Sequence, residues 1–230
     1  MNGKMGMAFI IIMLLFLFVN LQAADDYIRY DKKNDKTDSG YPKEINQSRW
    51  PGLWNGGIDA AINWGNGKVY FFRGGEYIRY DIKADKSDSG YPRAISQSNW
   101  PGLWTSGIDA AVNWGNGKAY FFKGNQYIRY DIKTDKADSG YPRAISQSNW
   151  PGLWTSGIDA AVNWGNGKVY FFKGSEYIRY DIKTDKTDSG YPRAISNSNW
   201  PGLWTNGVNA ALNWDDLKAY FFPLSSRRDK

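Results

Sequence analysis

The sequence contains no cysteine and no histidine. The first absence rules out disulfide cross-links and thiolate ligands for a metal. The second removes the imidazole on which Ser–His and Cys–His nucleophiles, zinc centres and the usual haem ligation depend. Charge of one sign is scarce as well. The 29 basic and 23 acidic residues give a net charge of +6, spread evenly and without the basic tracts that mark a nucleic-acid binder. Glutamates are few and peripheral, and the aspartates recur identically along the chain. Carboxylate acid–base chemistry would then have to exist in fourfold copy, so the reading is a protein that is not an enzyme.

Long apolar runs are missing too, with one exception near the N-terminus. Twelve apolar residues span 8–19, fewer than the roughly 20 that a membrane-spanning helix needs. Lys4 precedes this run and Asn-Leu-Gln-Ala-Ala follows at 20–24. A basic start, a short apolar core and a small-residue end describe a secretory signal cut after Ala23 or Ala24. The expectation is a signal peptide at 1–24 and an exported domain at 25–230, extracellular or, from a bacterial source, periplasmic, with no membrane span after cleavage. Asn46-Gln47-Ser48 forms a glycosylation sequon in a eukaryotic setting.

What the chain has in abundance is aromatic surface and repetition. Twelve tryptophans, sixteen tyrosines and eleven phenylalanines are present, each able to bury on the order of 150–250 Å². The segment Ile-Asp-Ala-Ala-Val-Asn-Trp at 108–114 returns at 158–164, and with small changes at 58–64 and 208–214. Residues 101–150 and 151–200 differ only at 119/169, 125/175, 126/176, 137/187 and 147/197. A fixed period of 50 residues marks stacked supersecondary units.

Within one unit, 108–114 reads as a strand, Gly-Asn-Gly at 115–117 as a hairpin turn, 119–122 as a second strand and 127–131 as a third. Apolar residues occupy both parities of the second strand, as in a strand covered on both faces. The polar stretch 135–140 accommodates a short outer strand. Residues 146–150 read as one helical turn, capped by Ser146 and stopped by Pro151. Such a unit is a propeller blade. The exported chain opens with a third strand, Tyr-Ile-Arg-Tyr-Asp at 27–31, and closes with a first and a second, at 208–214 and 218–222. Pairing these halves removes the unpaired edges that an open solenoid would leave. The expected fold is therefore all-β: a four-bladed β-propeller with repeats at about 58–107, 108–157 and 158–207, and a composite blade made from 208–222 with 25–57.

Asp-Ala-Ala at 159–161, Tyr-Phe-Phe-Lys-Gly at 170–174, Tyr-Ile-Arg-Tyr-Asp at 177–181, Gly-Tyr-Pro at 190–192 and Trp-Pro-Gly-Leu at 200–203 resemble, in this order, the hemopexin repeat. The resemblance extends over 25–222, and stand-alone legume albumins and bacterial photopexins are similar in layout. It implies a four-bladed propeller. It also implies a cation, often calcium, held in the central channel on the main-chain carbonyls of Asp59, Asp109, Asp159 and Asn209. Oxygen ligands suit such a hard cation. Ala61, Ala111, Ala161 and Ala211, two residues on, offer a second ring; the bland alternative makes the aspartates ordinary strand-start residues. Haem is not expected, because the family's carriers use histidine ligands that this chain lacks.

Three further features have mainly structural readings. The pairs Asp85/Asp88, Asp135/Asp138 and Asp185/Asp188 lack EF-hand spacing and read as turn residues. Trp50, Trp100, Trp150 and Trp200, with Trp54, Trp104, Trp154 and Trp204, read as packing between blades before they read as a sugar-stacking face. Arg79, Arg129 and Arg179 read as stacked on aromatics or paired with aspartates. The sequence thus describes a secreted binding module for a protein, glycan or small ligand. A small-molecule carrier, for haem or a polyamine, and a storage or structural protein remain the alternatives.

Overall fold

The structure is a computed structural model that describes residues 25–224; the signal expected at 1–24 lies outside them. Strands form four sheets of five strands each. In the first blade the order is Ala60–Asn63, Lys68–Arg73, Glu76–Asp81 and Lys86–Ser87, all antiparallel, with Arg93–Ala94 also pairing with the third strand. The next two blades repeat this order. In the fourth, Val208–Asn213 and Lys218–Pro223 come from the C-terminal end and Asp26–Asp31 from the N-terminal end. The register is Ile28 to Phe221, Arg29 to Tyr220, Tyr30 to Ala219 and Asp31 to Lys218. This is the all-β, four-bladed propeller with a composite closing blade.

The period-2 geometry of a strand explains why its sequence is apolar on both parities. Phe121 points into the joint with the preceding blade and Phe122 into the joint with the following one. The core is accordingly not one mass but four clusters, one per joint. Each is organised around an indole. Trp100 meets Trp64, Tyr70 and Tyr77 with ring centroids 5.2–5.5 Å apart in edge-to-face arrangement, the geometry that the ring quadrupoles favour. Trp50, Trp150 and Trp200 are buried in the same way, whereas Trp54, Trp104, Trp154 and Trp204 are half-buried at the cluster margins. Packing, not a stacking face, is the role of the first set.

Each Pro-Gly link crosses the outer strand of the next blade, with Ala137 N–H donating to Pro101 O at 2.8–2.9 Å, as Thr37 does to Pro201. Gly102 has φ +83°, and a Cβ there would lie 2.6 Å from Ala137 Cβ. Only glycine fits both the backbone and the crossing. The segment 146–150 differs from its expectation. It makes a single turn, Trp150 N–H to Ser146 O at 2.8 Å, and no helix. Ser146 is not the cap: Asn149 Oδ1 accepts from Ser146 N–H at 2.9 Å while its Nδ2 donates to Ala144 O at 3.0 Å. The Ser146 hydroxyl pairs with the Ser148 hydroxyl at 2.8 Å instead of capping the turn.

The aspartates of the outer turns are structural, and more tightly engaged than solvated turn residues. Tyr80 donates its hydroxyl to Asp85 Oδ1 at 3.0 Å. Lys68 Nζ bridges Asp81 at 2.7 Å and Asp88 at 3.0 Å, and Arg79 Nε also binds Asp88. The Arg79 guanidinium lies 5.3 Å from the Tyr91 ring centroid, so it both stacks and pairs. The cluster recurs in every blade, and in the fourth Lys218 reaches Asp31 and Asp38 across the ring closure. The Lys68 ammonium, and then the Ala84 N–H, hold the Asp81 carboxyl down to about 2; Lys118 and Lys168 lower Asp131 and Asp181 likewise. A depressed folded-state pKa stabilises the fold above the unfolded value of about 4 and ceases to do so as pH falls through the folded value. The melting temperature is therefore expected to be level between about pH 7 and pH 5 and to fall steeply below about pH 4. Thermal melts across that series check it, and a level profile down to pH 2 would remove the clusters from the stability account.

Candidate functional site: the central channel

The four inner strands, Ala60–Asn63, Ala110–Asn113, Ala160–Asn163 and Val208–Asn213, surround the ring axis. Their small residues set the width. Ala61, Ala111, Ala161 and Ala211 line a cavity of about 220 Å³ together with the Ile62, Val112, Val162 and Leu212 positions and the asparagines and glycines that follow. Of the two proposed rings, the alanines thus line the channel directly. Asp59, Asp109, Asp159 and Asn209 sit two residues earlier, toward the opposite mouth and outside that cavity lining.

The aspartate side chains have a defined task. Oδ2 of Asp59, Asp109 and Asp159 accepts the N–H of Gly74, Gly124 and Gly174 at 2.7, 2.6 and 2.7 Å. Each locks the start of the inner strand to the turn between the second and third strands. Asn209 departs from this pattern. It is fully buried, its Nδ2 donates to Ile58 O of the first blade at 2.7 Å, and its Oδ1 has no hydrogen-bond partner. A buried unpaired oxygen costs about 1–3 kcal/mol unless something supplies a donor or a positive charge. Among the described residues no group of three or more carboxylates is placed to hold a metal ion through side chains.

The other mouth carries a feature that sequence reading missed. Asn113 Nδ2 donates to Asn63 O at 3.1 Å, Asn163 Nδ2 to Asn113 O at 3.0 Å, and Asn63 Nδ2 to Asn213 O at 3.0 Å. The side chains thus join neighbouring inner strands in a chain around the axis. At the fourth position Asn213 Oδ1 instead accepts from Lys32 Nζ at 2.9 Å. Lys32 stands where the other repeats have Ile82, Ile132 and Ile182, and burial lowers its pKa. The signal available was an asparagine at 63, 113, 163 and 213 without exception, beside a lysine that breaks an isoleucine series. At this mouth the main-chain carbonyls of Asn63, Asn113 and Asn213 already accept amide donors.

The hemopexin family model matches residues 58–105, 108–155 and 158–205. No curated protein matches the chain. Solved structures do. A hemopexin fold protein from cow pea is 26% identical, with 72% of this chain and 82% of that one covered and a TM-score of 0.62. A 2S albumin seed protein from Dolichos is 28% identical over the same shares, with a TM-score of 0.62. A plant albumin from Cicer arietinum, described as showing hemagglutination, is 26% identical over 73% of this chain and 83% of that one, with a TM-score of 0.63. Three consecutive family-model matches fall on three whole blades, and the fourth blade closes the ring from the two flanks that remain: the chain belongs to the hemopexin family.

Proposed function

We propose that this hemopexin-family chain is an exported, non-enzymatic binding module whose ring is tied by a hard cation, calcium by preference, in the channel. The ligand presented to its surface is a glycan or a small molecule. One observation carries the cation: Asn209 Oδ1, buried and unpaired at the position where three aspartates stand in the other blades. The main-chain carbonyls of Asp59, Asp109, Asp159 and Asn209 would hold the ion, since the aspartate carboxylates already accept the glycine N–H groups. Oxygen donors in that number, completed by water, suit calcium. The glycan side draws on the likeness to the Cicer albumin, whose hemagglutination is a property of that protein. Likeness to the Dolichos seed albumin favours storage as the second reading.

A cation that binds only the closed ring stabilises it by mass action, about 2.7 kcal/mol when it is a hundredfold above its dissociation constant. Calcium is expected to raise the melting temperature and a chelator to lower it. Asp109→Asn is expected to cost about 1 kcal/mol or less, because an amide oxygen accepts the Gly124 N–H as well and the cation ligand is the main chain. Loss of the calcium effect in Asp109→Asn would replace main-chain ligation by side-chain ligation. A melting temperature indifferent to calcium in the parent would remove the site.

A further inference from the structure

One of the four blade joints departs from the repeat. Between the composite blade and the first blade, Arg49 stands where the other copies have Asn99, Asn149 and Asn199, and Lys43 where they have Arg93, Arg143 and Arg193. In the regular copies both positions are used locally. Asn99 closes its own turn, donating to Ala94 O at 3.0 Å and accepting from Ser96 N–H at 2.9 Å. Arg93 folds back to donate to Gly90 O at 3.1 Å. In the departing joint Asn46 closes the turn instead, its Oδ1 accepting from the N–H groups of Ser48 and Arg49 at 3.2 Å. Position 49 no longer has to close the turn, and an exposed arginine occupies it, Nη1 donating to Glu44 O at 3.3 Å. Lys43 Nζ lies 4.7 Å from the Tyr41 ring centroid. Among the described residues neither cation has a carboxylate within ion-pair distance.

These two cations and Arg29 share the wall of a cleft of about 270 Å³, which Ser48 and Tyr220 also line. Asp85 is the one carboxylate of that wall, and it already accepts the Tyr80 hydroxyl. Arg29 is balanced by Asp38 from outside the cleft, which still leaves Lys43 and Arg49 against Asp85. Burial pushes the Tyr220 phenol up to about 12, so it stays neutral at physiological pH. The cleft has a positive excess, polar walls, and a volume just under the range of drug-sized pockets, which fits a single small ring. We propose that it binds a sugar-sized organic acid, a carboxylate- or sulfate-bearing monosaccharide, whether free or as the terminal residue of a glycan. The acid sits on Arg49 and Lys43, pairings of the charge-assisted kind, with Ser48 as a partner for ring hydroxyls. The inference deepens the ligand-binding part of the proposed function and is independent of the channel cation.

Glucuronate and glucose, one pyranose frame with and without the charge, separate the chemistry; calorimetric titration of the full chain gives both affinities. Glucuronate is expected to bind at least tenfold tighter than glucose and to weaken as salt is raised. The double variant Asn46→Ser/Arg49→Asn installs the Ser-Gln-Ser-Asn turn that already closes the 96–99 and 146–149 segments. It is expected to lose at least tenfold in glucuronate affinity with its melting temperature held within a few degrees. Binding of an immobilised glucuronate-terminated glycan without the free acid assigns the terminal residue as the source; binding of the free acid alone assigns the metabolite. Equal affinity for glucuronate and glucose, or a double variant that binds like the parent, overturns the cleft. Glucuronate binding in a protein indifferent to calcium leaves the cleft standing and removes the channel ion. A neutral glycan bound without preference for the acid does the reverse, keeping the module and removing this cleft.

Discussion

Deleting residues 25–50 is expected to abolish the cooperative unfolding transition. The deleted segment supplies the third strand of the composite blade, which pairs with Lys218–Pro223 in the register that closes the ring. It also carries Tyr27, Ile28, Tyr30, Ile45 and Trp50, none more than 5% exposed. At about 1.5–3 kcal/mol for each large apolar side chain, their loss amounts to roughly 10 kcal/mol, which is the scale of a whole domain's stability. Two joint clusters lose members at once, because Tyr27 and Trp50 belong to one and Ile28 and Tyr30 to the next. The strand Lys218–Pro223 would also be left with an open edge, a pairing hazard between molecules. A milder form is Tyr30→Ala, expected to cost about 3–5 kcal/mol, as truncation of a buried aromatic does. Urea unfolding followed by tryptophan fluorescence reads both. A deletion variant that melts like the parent would mean the ring does not depend on its composite blade.

The blades were legible because their determinants are local. Gly-Asn-Gly at 115–117 sets the first turn, and Phe121 beside Phe122 requires cover on both faces, which only a strand between two neighbours receives. The observed inner strand, Ala110–Asn113, is shorter than the expected 108–114; at its ends the main-chain N–H groups of Asp109 and Trp114 donate to Phe122 O and Lys118 O. The short strand Arg143–Ala144 escaped notice because two residues carry no period. Ring closure was legible for a different reason: the two flanks complement each other in the repeat pattern. The features at the two mouths were not legible, since they are side-chain pairings, three to main-chain carbonyls and one to the Asn213 side chain, across 50 to 181 residues. Residue identity shows where the pattern breaks, at Lys32, Arg49 and Asn209, but not what each break touches.

Asn209→Asp is expected to be the most destabilising single exchange of an asparagine for an aspartate in the chain. The other three blades have aspartate at this position, so repeat consensus would recommend the change; the hydrogen bonds forbid it. Asp109 accepts from Gly124 N–H, whereas Asn209 donates to Ile58 O. A carboxylate at 209 would have no donor, would face a carbonyl oxygen, and would be fully buried. Breaking a buried pairing in this way and leaving an uncompensated charge costs about 3–5 kcal/mol, or roughly 10 °C in melting temperature for a domain of this size. The pH dependence follows from the sign of the shift. Burial raises the folded-state pKa above the unfolded value of about 3.9, so the folded state binds the extra proton. The protonated acid can donate to Ile58 O, and the variant's deficit is therefore smallest below about pH 4 and grows as pH rises through the folded value. Calcium adds a second axis: a cation at this mouth offsets the new charge, so it is expected to narrow the deficit at pH 7 by more than it stabilises the parent. Melting curves of both proteins at pH 4 and pH 7, with calcium and with chelator, resolve these terms. A variant within 2 °C of the parent at pH 7 in chelator would show that Asn209 is not a buried donor. A deficit that calcium leaves untouched would move the cation away from this end of the channel.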